Sequence, residues 1–74
     1  MSLPAVSKAQ FVRALQRLGF VRSRQKGSHQ KWEHADGRWV YVYYHAREDL
    51  RPGALRKILS DARISEDEFL HALH

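Results

Sequence analysis

The feature that most constrains the fold is a run of six residues, Trp39 to Tyr44, in which every side chain is aromatic or β-branched. Such residues are enriched in β-strands, where they pack well on a pleated surface. The run follows Ala35-Asp36-Gly37, a sequence typical of a tight β-hairpin turn. We therefore predict a strand over Arg38–Tyr44 that pairs through this turn with a strand over Ser28–His34.

The segment before this hairpin predicts a further strand and a helix. Gly27 supplies a turn after a strand predicted over Phe20–Gln25. Ser7-Lys8-Ala9-Gln10 has the pattern of a capping box, in which a serine hydroxyl and a glutamine side chain bond each other's backbone amides. Apolar residues then recur on one helical face, and Gly19 suits a helix end. We therefore predict a helix over residues 8–18.

Two more helices are predicted after the third strand. Pro52 suits the first turn of a helix whose apolar residues have the spacing i, i+3, i+4, i+7. Ser65-Glu66-Asp67-Glu68 is a second capping box and begins a last helix. The order α-β-β-β-α-α indicates an α+β fold, with a three-stranded antiparallel sheet covered by helices on one face. We expect residues 1–74 to form a single domain with a small core.

Charge is distributed unevenly along the chain. The first 31 residues carry seven basic and no acidic side chains, whereas the rest carries six basic and eight acidic ones. The seven are Lys8, Arg13, Arg17, Arg22, Arg24, Lys26 and Lys31. A basic half of this kind attracts an anionic polymer such as RNA. Arg13 and Arg17 form a basic helical stripe, which is either a solvated face or a phosphate-binding one.

The lack of cysteine excludes disulfides and thiolate metal sites, and fits a reducing compartment. No apolar run approaches the roughly 20 residues that span a bilayer, and no charged-then-apolar leader is visible. We therefore expect a cytoplasmic protein with no membrane association.

His29 is the candidate for chemistry, because it follows the Gly27-Ser28 turn in the basic half. RNA carries its own nucleophile, the 2′-hydroxyl. A histidine suits deprotonation of that group, or protonation of the leaving 5′-oxygen, without a metal. Nearby cations, Arg24, Lys26 and Lys31, would stabilise the charged transition state. The alternative is that His29 is an ordinary exposed strand residue.

The remaining histidines and the aromatic run allow more than one interpretation. His34 and His45 have no cysteine or paired carboxylates beside them, so we expect strand ends and no metal or other cofactor. If Val40, Val42 and Tyr44 point inward, then Trp39, Tyr41 and Tyr43 point outward. These outward rings would stack on unpaired bases, or pack on a partner protein or another subunit.

The chain resembles the HicA (YcfA-like) family of bacterial toxins from Leu3-Pro4 to about Leu73. The resemblance rests on ordered motifs: Gly27-Ser28-His29, His34-Ala35-Asp36-Gly37, His45, Pro52-Gly53-Ala54-Leu55-Arg56 and Ser65-Glu66-Asp67-Glu68-Phe69. It implies a double-stranded-RNA-binding-domain-like fold, endoribonuclease activity on mRNA, and a HicB antitoxin that occludes the active site. It also implies that His29 is catalytic. The expected RNA-binding residues are Arg13, Arg17, Arg24, Lys26, Gly27, Ser28 and Lys31.

Three positions depart from the family pattern. Gln30 replaces a second histidine that many members carry, and Tyr43 replaces a common proline. Arg63 stands where the family often has glycine, which predicts strain if that position is left-handed. The competing hypotheses are a non-catalytic RNA-binding or protein-interaction module of the same fold and, more distantly, an interaction domain with no role in nucleic-acid binding.

Overall fold

The computed structural model describes residues 3–43 and 49–74. Its elements are α1 (Lys8–Arg17), β1 (Phe20–Lys26), β2 (His29–His34), β3 (Trp39–Tyr43), α2 (Pro52–Asp61) and α3 (Glu66–Ala72). The strands form one antiparallel sheet in the order β1-β2-β3. The predicted α+β class and the α-β-β-β-α-α order are therefore confirmed. Within the described ranges, none of the helices has the length and apolar character required to cross a membrane.

Local capping chemistry sets where α1 begins and ends. The Ser7 hydroxyl accepts from the Gln10 amide at 3.2 Å, and the Gln10 side chain accepts from the Ser7 amide at 2.9 Å. The predicted capping box is therefore formed. The helix ends one residue before the predicted position, with Leu18 as its cap, and Gly19 then adopts a φ of 93°.

The last helix also begins at its predicted cap. The Ser65 hydroxyl accepts from the Glu68 amide at 3.1 Å and donates to the Glu68 carboxylate at 3.3 Å. Only the serine half of the predicted capping box is therefore formed, because Glu68 bonds the hydroxyl instead of the Ser65 amide. Three acidic residues occupy the first turn of α3, where they complement the positive end of the helix dipole.

The β1–β2 hairpin has a two-residue turn, Gly27-Ser28, closed by the pair Lys26 and His29. Gly27 has a φ of 59°, which is typical of the first central residue in a type II′ turn. β1 therefore runs one residue further than predicted. β2 begins at His29 instead of Ser28, because Ser28 is needed in the turn.

The β2–β3 hairpin has the three-residue loop Ala35-Asp36-Gly37. The Gly37 amide donates to the His34 carbonyl at 3.0 Å, and the His34 amide donates to the Arg38 carbonyl at 2.8 Å. Gly37 takes a φ of 98°, as expected after a type I turn. The predicted turn is confirmed, and Arg38 closes it instead of opening β3.

The core lies between the helices and one face of the sheet. On β3, Val40 and Val42 are buried, whereas Trp39, Tyr41 and Tyr43 are 51%, 52% and 47% exposed. The predicted alternation is therefore confirmed at these five positions, and Tyr44 lies outside the described residues. The largest fully buried side chains are those of Trp32, Phe11, Phe20, Phe69, Leu15, Leu55, Leu59, Val6 and Val42.

Arg63 connects α2 to the rest of the fold in a strained conformation. It follows the α2 cap, Ala62, and has a φ of 57°, in the left-handed region. This conformation costs a non-glycine residue about 1–2 kcal/mol. The Arg63 carbonyl accepts from Nη1 of Arg38 at 3.1 Å, so the end of α2 is attached to the β2–β3 turn.

Candidate nucleic-acid interface and catalytic histidine

The outer face of the sheet, opposite the helices, carries His29 and three of the predicted cations. Arg24 pairs with Lys31 and Lys26 pairs with His29 across β1 and β2. Paired residues on neighbouring antiparallel strands point to the same face of a sheet. Arg24, Lys26 and His29 are exposed, and Lys31 is half-buried. The structure therefore brings these four predicted site residues together.

A β-bulge at Ser23 makes this arrangement possible. The pairing register shifts between Arg22 and Arg24, which leaves Ser23 as an extra residue on β1. Strict alternation would place Phe20 and Lys26 on one face, since six residues separate them. The bulge changes this parity. Phe20 is consequently buried at 1% exposure, while Lys26 stands beside His29 on the outer face.

A cavity of about 240 Å³ opens on the outer face. Its lining consists of three cationic side chains, an imidazole and a phenol, contributed by Arg24, Lys26, Lys31, His29 and Tyr41. This lining suits an anionic group that approaches an acid or base. A second cavity, of about 380 Å³, lies beside the β2–β3 turn and the end of α2, and contains none of the predicted site residues.

Packing against Tyr43 orients the His29 imidazole. The two residues are cross-strand partners, and their ring centroids lie 4.6 Å apart with the planes at 53°. Ring packing of this kind limits rotation of the imidazole. Because His29 itself is exposed, a substrate can reach the ring. Tyr43, one of the departures from the family pattern, therefore contributes to the site.

Lys31 forms an ion pair beside the cavity and lies near two aromatic rings. Its Nζ lies 3.0 Å from Oε1 of Glu33, and 5.2 Å and 5.8 Å from the ring centroids of Trp39 and Tyr41. The Lys31 hydrogen bond lowers the pKa of the Glu33 carboxyl, and a hydrogen bond from Ser23 adds to the effect. Glu33 therefore offsets the charge of Lys31 within the site.

Gly27 and Ser28 lie at the open end of the same hairpin, adjacent to His29. Both are exposed, and a Cβ atom added at Gly27 would have no other atom within 4 Å. The backbone of this turn is accessible to a ligand. These two predicted contacts therefore share a surface with Arg24 and Lys26.

Arg13 and Arg17 lie on α1, in the helix layer, and do not line the cavity. Nη1 of Arg17 donates to the Ala72 carbonyl at 2.8 Å, near the end of α3. Arg17 therefore links α1 to α3, and the sequence did not predict this role. The predicted RNA contacts of these two arginines would use a surface separate from the outer face.

Gln30 faces the core, on the opposite side of the sheet from His29. It is 2% exposed, and its Oε1 accepts from Nε1 of Trp32 at 3.1 Å. Its replacement of the family's second histidine therefore removes no group from the cavity. The period of a strand places Gln30 and Trp32 on one face, but nothing in the sequence predicted the bond between them.

His34 completes the β2–β3 turn, as predicted. Its Nδ1 lies 3.0 Å from both the amide and Oδ1 of Asp36, and its ring packs edge-on against Phe20. The backbone N–H of Arg38 lowers the pKa of Asp36, and the Arg38 guanidinium contributes to the shift. Among the described residues, no three side chains of the metal-ligating types cluster together. His45 lies outside the described residues.

The chain also matches a known protein family. A family model described as HicA toxin of bacterial toxin-antitoxin matches residues 9–64, more than half of the 74-residue chain. No match to a curated protein was found. The matched range contains the whole sheet, the Gly27-Ser28-His29 turn and α2. A chain that matches over this range belongs to the HicA toxin family, and so to the toxins that are paired with an antitoxin in bacteria.

Proposed function

We propose that this protein is the toxin of a type II toxin–antitoxin system and a metal-independent endoribonuclease that cleaves mRNA. The observation that carries the proposal is the outer-face cavity, where an exposed imidazole stands among three cations. A phosphate drawn to Arg24 and Lys26 would come close to His29, because Lys26 and His29 are direct cross-strand partners. Family membership supports the same assignment.

The chemistry needs only groups found on this face, on RNA itself and in the surrounding water. His29 takes the proton from a ribose 2′-hydroxyl, and the oxygen attacks the adjacent phosphorus. The bond from phosphorus to the 5′-oxygen then breaks, which leaves a 2′,3′-cyclic phosphate and a 5′-hydroxyl. Arg24 and Lys26 stabilise the negative charge that accumulates on the phosphoryl oxygens. His29 performs only the first proton transfer, and water donates the proton to the leaving 5′-oxygen.

The proposed inhibitor is a HicB-like antitoxin that occupies the outer face. The cavity and the half-exposed rings of Trp39 and Tyr41 lie side by side, so carboxylates and an apolar anchor on one partner match both. Such a partner would exclude RNA sterically, without a conformational change in the toxin.

The decisive experiment compares the wild-type protein with His29→Gln in a bacterial host and in cleavage of purified mRNA. His71→Gln is the matched control, because His71 is also exposed but lies on α3. We expect His29→Gln alone to abolish toxicity and cleavage while far-UV circular dichroism is unchanged. Cleavage should persist in excess EDTA. Equal cleavage by the wild type and His29→Gln would refute the assignment.

A second candidate function is a non-catalytic RNA-binding module of the same fold. It is favoured by one observation: of the described histidines, only His29 lines the cavity, so a second imidazole is not there to assist. Binding of mRNA that is equally tight in the wild type and His29→Gln, with cleavage by neither, would select this alternative.

A further inference from the structure

The outer face of the sheet is organised in three parallel rows of side chains. β1 contributes the cations Arg24 and Lys26, and the central strand β2 contributes His29, Lys31 and Glu33. β3 contributes a row of aromatic rings, Trp39 and Tyr41. Neighbouring strands lie about 4.8 Å apart, so the cationic row and the aromatic row are separated by about 10 Å.

The aromatic row is both exposed and held in place. Trp39 and Tyr41 are 51% and 52% exposed, although aromatic rings of this size are normally covered in a monomer. Their centroids are 5.5 Å apart in an edge-to-face arrangement, and Lys31 lies near both rings. Rings fixed in this way lose little entropy when a flat ligand stacks on them.

We infer that this face binds unpaired RNA, with phosphates on the β1 row, the ribose near His29 and bases stacked on Trp39 and Tyr41. The inference rests on the proposed function and specifies its substrate class. In a single nucleotide the ribose lies between phosphate and base, which is the order of the three rows from β1 to β3. For the nucleotide whose base stacks on Tyr41, which lines the cavity together with His29, the 2′-hydroxyl then lies close to the imidazole.

Base pairing would prevent this mode of binding. In a duplex, each base is stacked between its neighbours and its faces are not available to a protein ring. Duplex RNA can therefore contact the cations, but it cannot use the aromatic row. Because stacking accepts every base, the aromatic row itself should show little sequence preference.

A protein anchor is the other occupant that exposed rings suggest, but the charges favour RNA. Lys31 lies between Arg24 and Tyr41, and His29 lies between Lys26 and Tyr43. Glu33, opposite Trp39, is ion-paired with Lys31, so this part of the face keeps the positive charge of Arg24 and Lys26. RNA carries both phosphates and flat bases, so it matches the cationic row and the aromatic row at once. An antitoxin that blocks the site would compete for the same two rows.

The test measures binding to a fluorescein-labelled 2′-O-methyl RNA, which cannot be cleaved because its nucleophile is blocked. Trp39→Thr and Tyr41→Thr remove the rings and keep a β-branched residue in the strand. Val21→Thr is the matched control, because Val21 lies on the same face and is 64% exposed. The probe is used as a single strand and as a duplex with its complement, and circular dichroism checks each fold.

We expect each ring removal to weaken single-strand binding by about 5-fold to 150-fold, the range for loss of one stacked base. Val21→Thr should remain within about twofold of the wild type. The wild type should bind the duplex more weakly than the single strand, and the duplex affinity should not respond to ring removal. Quenching of the exposed Trp39 by the single strand would agree, since the other tryptophan, Trp32, is 2% exposed.

The failures of the two proposals can be told apart. If single-strand affinity does not change when the rings are removed, stacking is refuted and the rings serve a protein partner, while cleavage that depends on His29 still stands. If ring removal weakens the duplex equally, the preference for unpaired RNA is refuted. If the rings are needed for binding but the wild type cleaves no RNA, the inference stands and the ribonuclease assignment falls.

Discussion

Replacing Gln30 with methionine should lower the free energy of unfolding by about 1–2 kcal/mol, although position 30 contributes nothing to the cavity around His29. Gln30 is 2% exposed and accepts a 3.1 Å hydrogen bond from Trp32, which is also 2% exposed. Methionine fills a similar volume but is only a weak acceptor. A buried donor left without its partner costs about 1–3 kcal/mol. Relief from burying the glutamine amide offsets part of this loss.

The assay is urea unfolding followed by far-UV circular dichroism. With a slope of about 1 kcal/mol per molar urea for a small domain, the midpoint should fall by about 1–2 M. Trp32→Phe removes the donor, so Gln30→Met should cost less in that background. The double-mutant cycle should then report a coupling of about 1 kcal/mol.

Two results would refute this reasoning. If the two substitutions are additive within about 0.5 kcal/mol, the hydrogen bond does not stabilise the fold. If folded Gln30→Met loses RNA cleavage that the wild type shows, position 30 acts in the site, and its assignment to the core is wrong.

Three further perturbations test other parts of the structure. Arg63→Gly should raise the free energy of unfolding by about 0.5–1 kcal/mol, because relief of left-handed strain exceeds the added entropy of the unfolded chain; an unchanged or lower melting temperature would contradict this. Arg24→Ala with Lys26→Ala should weaken RNA binding and flatten its log–log salt dependence by about 0.7 per lost phosphate contact, and an equal slope would mean that neither touches phosphate. Asp36→Asn should make stability less sensitive to acid. The Arg38 hydrogen bonds lower the pKa of Asp36 below its ordinary 3.8, so the ionised carboxylate stabilises the fold above that pH, and this contribution is lost as pH falls through the folded-state pKa. If the urea midpoint falls equally from pH 6 to pH 3 in the wild type and in Asp36→Asn, Asp36 makes no such contribution.

The sequence by itself determined the elements of this fold, because their signals are local. A serine and a glutamine three residues apart define the start of α1, and glycines with positive φ define the turns at Gly27 and Gly37. The alternation along β3 follows from the period of a strand. At position 63 the resemblance to a family that often has glycine there predicted strain if the residue were left-handed, and Arg63 does adopt a φ of 57°.

Only the tertiary structure decided which residues of those elements face the core and which face the site. The bulge at Ser23 reconciles a buried Phe20 with an outward Lys26, and it arises from pairing between strands, which no local pattern encodes. The Arg17 guanidinium donates to the Ala72 carbonyl because α1 and α3, which are far apart in the sequence, pack against each other. The three rows of the outer face exist for the same reason: cations, histidine and aromatic rings come from separate segments, and strand pairing sets them side by side.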